Sequence, residues 1–133
     1  MNADIERGFV AVIQSAMPDF EIREATSSKP LRGDAHLVIV ECPESEHIAG
    51  PLYRATVRAS LTTNPHDLSE AYHGTAAGLL SKAFDDPGEV TSLFNAAAGT
   101  LSLQGIHVNS HTEDVVDGTW RATVELVAGI RIG

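Results

Sequence analysis

The sequence predicts one α+β domain over residues 1–133, with helices packed on one face of a mainly antiparallel sheet. A length of 133 residues suits one ordinary domain, and a hydrophobic fraction of 43% is enough to fill its core. Two long segments alternate apolar and polar residues, as strands with one buried face do. Helical segments separate the strand clusters. We therefore expect an N-terminal helix, four to five strands, and two to three helices in all.

The N-terminal helix is predicted for residues 2–17. Ile5, Phe9 and Ile13 recur at helical spacing. Asn2 can serve as the N-cap, and Pro18 ends the helix because proline cannot continue it.

Three strands are predicted to follow, with polar loops between them. The segments are residues 19–24, 36–42 and 52–63. The first is short and turns Phe20 and Ile22 inward. The second is a continuous apolar run, typical of a buried strand, and Cys42 at its end is interpreted as a packed thiol. The polar segment 43–51 is predicted to be a loop.

Two helices are predicted next, over residues 64–85 and 89–98. Asn64 caps the first and Pro65 takes its favoured first position. Its expected apolar stripe consists of Leu68, Tyr72, Ala76, Leu79 and Ala83. Asp86-Pro87 ends this helix, and Gly99 ends the second one.

The chain closes with two predicted strands, residues 100–108 and 119–132, joined by an acidic, turn-rich connection at residues 109–118. Every second residue of the last strand is apolar from Trp120 onward. The alternation continues for roughly twice the length of a typical strand. This strand is expected to hold the sheet to the helices with one row of side chains.

The other rows of two predicted strands carry arginines and threonines, and Glu125 is the only acid there. The residues are Arg54, Thr56, Arg58, Arg121, Thr123 and Arg131. A solvated sheet face is one interpretation. Because the whole chain is acidic, with 9 basic and 18 acidic residues, the alternative is a subunit interface against an acidic surface of a neighbouring copy. On that hypothesis, Arg58→Glu combined with Arg121→Glu yields a monomer.

The sequence indicates no catalytic residues, no cofactor site and no metal site. It contains no G-x-S-x-G, P-loop or G-x-G-x-x-G motif, and its six histidines lack a recognised ligand spacing. The net charge of −9 argues against nucleic-acid wrapping. No apolar run approaches the roughly 20 residues of a membrane span. A pocket between sheet and helices near His36, Tyr53 and His107 is the alternative, for a ligand-binding or enzymatic domain.

Three segments resemble the small tail proteins of long-tailed bacteriophages and prophages, above all the tail terminator (tail completion) group. They are PLYRATVRASLTTNPHDLSEAYHGTAAGLLSKAF, LFNAAAGTLSLQGIHV and DGTWRATVELVAGIRI. The shared elements are a strand that begins with an aromatic residue and alternates arginine and threonine, a helix after Thr-Asn-Pro, and the sequence Asp-Gly-x-Trp at the start of a long final strand. The resemblance covers most of the chain.

This resemblance implies a non-enzymatic minor tail protein that forms a homo-oligomeric ring, commonly a hexamer. The ring would cap the tail tube, end its polymerisation and present a surface to head-completion proteins. Its place would be the virion tail, after assembly in the bacterial host cytoplasm. Glu113, Asp114 and Asp117 are the candidate docking loop. A head–tail joining protein of similar size is the neighbouring alternative.

Overall fold

The computed structural model describes residues 1–26, 37–63, 70–116 and 119–133. Its elements follow the predicted order: a helix, three strands, two helices and two strands. They are α1 (Asn2–Ala16), β1 (Glu21–Glu24), β2 (Leu37–Ala49), β3 (Leu52–Thr63), α2 (Glu70–Lys82), α3 (Pro87–Ala97), β4 (Leu101–Val116) and β5 (Thr119–Ile132). None of these helices is long and apolar enough to cross a membrane.

The five strands form one sheet in the order β1-β2-β3-β5-β4. Only β1 and β2 run parallel; the other three pairings are antiparallel. The predicted α+β class with a mainly antiparallel sheet is confirmed. That residues 1–133 form one domain remains a prediction, although the buried apolar residues of the described ranges belong to a single cluster.

All three helices lie on one face of the sheet, as predicted. The covered face carries the predicted apolar rows, which are Ala55, Val57, Ala59 and Leu61 on β3, and Ala122, Val124, Leu126, Ala128 and Ile130 on β5. From α1, Phe9 meets Phe94 of α3 at a ring-centroid distance of 5.0 Å and Phe84 at 6.3 Å. Aromatic packing of this kind joins the helices above the sheet.

Two predicted loops turn out to be strands. β2 continues through residues 43–49, with a shift in register between Glu41 and Glu44. This bulge lets Pro43, which has no N–H, remain within the strand without pairing to β3. β4 likewise continues to Val116 through the acidic segment. Its polar residues are compatible with a strand because most of them are exposed at the edge of the sheet.

The helix boundaries also differ from the prediction. Met1, not Asn2, is the N-cap of α1. The Asn2 side chain instead donates a hydrogen bond to the carbonyl of Cys42 and accepts one from the hydroxyl of Ser45. Asp86 does not end α2, which stops at Lys82. It caps α3, accepting hydrogen bonds from the amides of residues 88 and 89 at 3.1 and 3.2 Å.

The predicted stripe of α2 is partly wrong. Leu79 is 38% exposed, whereas Leu80 and Phe84 are buried beside Ala76. The helix therefore turns Leu80, and not Leu79, towards the core. Asn64, Pro65 and Leu68 lie outside the described residues, and so does the side chain of Tyr72.

Candidate interaction surfaces: the open face and the Trp120 groove

The face of the sheet opposite the helices is not covered by any described helix or strand, and it carries the predicted interface residues. Paired residues of neighbouring strands point to the same side of a sheet. Register pairs Arg54 with Gly129, Thr56 with Val127, and Arg58 with Glu125. The structure thus gathers six predicted residues on what we call the open face: Arg54, Thr56, Arg58, Arg121, Thr123 and Arg131.

The open face is not basic, because the longer β2 and β4 bring carboxylates into it. Glu41 lies directly opposite Arg58, and Glu46 lies opposite Arg54. On the other side, Asp114 faces Arg121. Glu125 is the only acid of β3 and β5, as expected, but the neighbouring strands β2 and β4 place further acids beside the arginines. Charges of both signs alternate across the strands.

Arg58 makes the one ion pair between neighbouring strands in the described part of the open face. Its Nε donates to Oε2 of Glu125 at 2.8 Å. This hydrogen bond and the carboxylate charge raise the pKa of Arg58 above its usual value. Because the pair is exposed, it contributes little to stability. Its effect is to fix the direction of the guanidinium on the surface.

Arg131 differs from the other arginines of the open face. The residues opposite it are Leu52 on β3 and Ser102 on β4, so no acid faces it across either strand. Within the described ranges it makes no ion pair. Leu52 is 40% exposed and Ile132 is 38% exposed. Leu52 lies beside Arg131 on the open face, whereas Ile132 points to the helix side of the same end of the sheet.

The predicted docking loop is a strand where the structure describes it. Glu113 and Asp114 belong to β4 and are exposed, while Asp117 lies outside the described residues. Glu113 pairs with Ala122 and so points to the helix side, whereas Asp114 points to the open face. The two carboxylates therefore lie on opposite sides of one edge strand.

A groove lies between α2 and the end of β4, and the sequence analysis did not identify it. Its volume is about 470 Å³. The described residues lining it are His73, Gly74, Glu113, Asp114, Val115 and Trp120. The rings of His73 and Trp120 meet edge to face, with centroids 5.4 Å apart. Trp120 begins the apolar row of β5 but is only half-buried, and nothing in the sequence analysis indicated a groove beside it.

Two polar atoms beside Trp120 are buried and have no hydrogen-bond partner among the described residues. One is Nδ1 of His73, a residue only 7% exposed, and the other is Oγ1 of Thr63. Thr63 lies directly opposite Trp120 on β3. Unpaired buried polar atoms are rare because each costs free energy. The packing beside Trp120 therefore leaves two polar atoms unsatisfied within the described ranges.

The described residues do not form the alternative pocket that was expected near His36, Tyr53 and His107. Tyr53 lies on the helix side and packs partly against the core, while His107 points to the open face opposite Val127. His36 is outside the described ranges. Within those ranges, no group of three or more His, Cys, Asp or Glu side chains could hold a metal ion.

Comparison with known proteins shows the fold. No protein-family model matches the chain, and no curated protein matches it. One similar solved structure is a chain from the virion of a native gene transfer agent particle, with a TM-score of 0.56 and 16% identity. That alignment covers 91% of this chain and 85% of the other. A second solved chain aligns over 98% of this chain and 92% of its own, with a TM-score of 0.52 and 16% identity.

Proposed function

We propose that this chain is a structural subunit of a phage-like virion, and specifically a tail terminator-like protein. The observation that carries the proposal is the sheet that its helices cover on one face only, within a fold shared with a gene transfer agent virion chain. A broad, polar, uncovered sheet face suits binding to another subunit. The resemblance of the sequence to tail terminators gives the finer assignment.

In this role the protein acts by binding and geometry and catalyses no reaction. Copies assemble into a homo-oligomeric ring, a hexamer in the form we propose. The ring caps the tail tube, stops its polymerisation and offers its other surface to a head-completion protein. The ring belongs to the virion tail and is assembled in the bacterial host cytoplasm. Neither sequence-specific nucleic acid nor a membrane is a partner.

The open face is proposed as part of the contact between subunits. Its arginines and threonines stand among carboxylates at fixed register positions, such as Arg58 between Glu41 and Glu125. A pattern of alternating charge favours one docking register, because any other register places like charges together. Electrostatic complementarity of this kind provides specificity more than affinity.

The test is a steric block at the centre of this face. Thr123→Trp places a large side chain among Ser60, Thr112 and Arg121; strands accept aromatic residues well, so the monomer should still fold. We expect a six-fold ring for the unmodified chain in native mass spectrometry and electron microscopy, and a monomer for the variant. Ser92→Trp, at an exposed site on α3, is the matched control and should still form the ring.

The Thr123→Trp substitution is easier to interpret than the combined Arg58→Glu and Arg121→Glu substitution that the sequence suggested. Arg58→Glu would place three carboxylates side by side across the strands, so a loss of assembly could reflect a weakened fold. An unmodified chain that stays monomeric, or a Thr123→Trp chain that still forms rings, would contradict the proposed interface. The capping role is tested separately, by adding rings to polymerising tube protein and measuring tube length.

A head–tail joining protein is the second assignment within the same class. The distinguishing observation is the binding partner: a terminator ring binds the end of a bare tail tube, whereas a joining protein binds head components and does not bind a bare tube. Co-sedimentation of the ring with each assembled partner separates the two.

A further inference from the structure

The Trp120 groove offers the chemistry that binds a guanidinium group. Glu113, which points to the helix side of β4, supplies negative charge at its rim, and the aromatic ring of Trp120 forms part of its wall. Arginine stacks on aromatic faces and forms strong hydrogen bonds to carboxylates.

The chain itself carries a suitable arginine at the opposite end of the same sheet. Arg131 and Trp120 are both on β5, 11 positions apart in number, or roughly 35 Å at about 3.4 Å per residue. Arg131 has no acid opposite it, and the exposed Leu52 pairs with it on the open face. At the groove, Val115 is 63% exposed. Each end therefore combines a charge with apolar surface, and the two charges are opposite.

We propose that Arg131 of one copy inserts into the Trp120 groove of the next copy. The contact is head to tail, because the two surfaces lie at different ends of one molecule. Repeated contacts of this type close into a ring when the rotation permits. This inference rests on the proposed ring and names a contact within it. Arg131 stands at one end of the open face, whereas the groove that receives it lies on the helix side of the sheet.

The single tryptophan makes the groove directly observable. Fluorescence of the unmodified chain is measured across a dilution series, together with mass by native mass spectrometry. As the oligomer forms, Trp120 emission shifts to shorter wavelength and acrylamide quenching decreases, because the neighbouring copy excludes water from the groove. Arg131→Glu raises the concentration at half-assembly by at least about tenfold, which corresponds to about 1.4 kcal/mol per contact. Lys82→Glu, an exposed cation on α2, leaves it unchanged.

Charge exchange provides the decisive experiment. Arg131→Glu and Glu113→Lys each impair assembly alone, since each variant brings like charges together at every contact. An equimolar mixture restores assembly, because each chain now finds a complementary neighbour on both sides. A chain carrying both substitutions assembles as well. Asp85→Lys, an exposed acid between α2 and α3, is the control for Glu113→Lys and has no effect.

The outcomes separate this contact from the proposed ring. An oligomer in which Trp120 stays open to acrylamide, or a mixture that remains monomeric, overturns the contact and leaves the ring standing. An unmodified chain that is monomeric at every concentration overturns both. If circular dichroism shows that either charge reversal unfolds the protein, Arg131→Gln and Glu113→Gln replace them, and unchanged assembly of both then refutes the contact.

Discussion

Glu6 of α1 and Cys42 of β2 are joined by a buried hydrogen bond: the backbone amide of Cys42 donates to Oε2 of Glu6 at 3.1 Å. The other oxygen of this carboxylate accepts from the amide and hydroxyl of Thr26, at 3.2 and 3.0 Å. Cys42 lies in the β2 bulge and has no partner on β3. Glu6 thus accepts the hydrogen bond of the backbone amide that the bulge leaves without a partner on β3. The same hydrogen bond connects α1 to the sheet.

Replacing Glu6 with alanine should destabilise the fold by about 2–4 kcal/mol, because a buried amide and the Thr26 donors lose their acceptor. Urea denaturation measures the change. Glu44→Ala, at an exposed position of the same strand as the bulge, is the control and should change stability by less than about 0.5 kcal/mol. Equal effects of the two substitutions would show that the buried carboxylate has no special role.

Gly8→Ala should destabilise the protein even though alanine favours helices by about 1 kcal/mol. An added Cβ would overlap the ring of Phe94, which is fully buried and has no room to move away. Overpacking of this kind costs about 1–3 kcal/mol. Gly78→Ala in α2 is the matched control. Its Cβ meets nothing within 4 Å, so thermal denaturation should show stabilisation of about 0.5–1 kcal/mol. A stabilised Gly8→Ala variant would refute the close approach of α1 to α3.

Asp86→Ala should cost about 1 kcal/mol, because two backbone amides of the first turn of α3 lose their acceptor. The adjacent Asp85→Ala removes the same charge and serves as the control. Asp85 is exposed and does not cap the helix, so its loss should leave the free energy of unfolding nearly unchanged. The prediction fails if the two alanine variants unfold at the same denaturant concentration.

The thiol of Cys42 should be unreactive in the folded protein at pH 8. Burial raises its pKa from 9.0 to about 11, and the charge of Glu6 adds to the effect. A disulfide reagent should therefore label Cys42 only after the protein unfolds. Fast labelling of the folded chain would contradict the burial.

The same shift predicts a loss of stability at high pH. The folded state holds the thiol proton more tightly, so its contribution is complete below pH 9.0 and disappears as the pH rises towards about 11. Each unit of difference corresponds to about 1.4 kcal/mol. Cys42→Ala has no such group. Its free energy of unfolding should fall less steeply between these pH values, and parallel curves would rule the linkage out.

Much of the fold was predictable because local patterns agree with the final packing. The alternation of β3 and β5 marks one buried row on each strand, and the spacing of Ile5, Phe9 and Ile13 marks the buried face of α1. The row of arginines and threonines could also be placed on one face from the same alternation. These features repeat with the period of the element that carries them, so they can be read from adjacent residues.

The electrostatic character of the open face could not be predicted in this way. Arg58 and Glu125 are 67 positions apart, and Glu41 reaches Arg58 only through the pairing of β2 with β3. Polar segments such as residues 43–49 and 109–116 lack an apolar period, so the sequence predicts loops there. They become strands because a neighbouring strand supplies hydrogen-bond partners for their backbone.

The Trp120 groove likewise depends both on the local sequence pattern of β5 and on contacts between residues that are distant in sequence. The sequence alone established that β5 is a long strand with Trp120 at the start of its apolar row. The pairing of β4 with β5 and the position of α2 brought Glu113 and His73 next to that tryptophan. Periodicity specifies which side of an element is buried, whereas register between strands specifies which distant side chains meet. The buried core therefore follows from the sequence pattern, and the interaction surfaces follow from the assembled sheet.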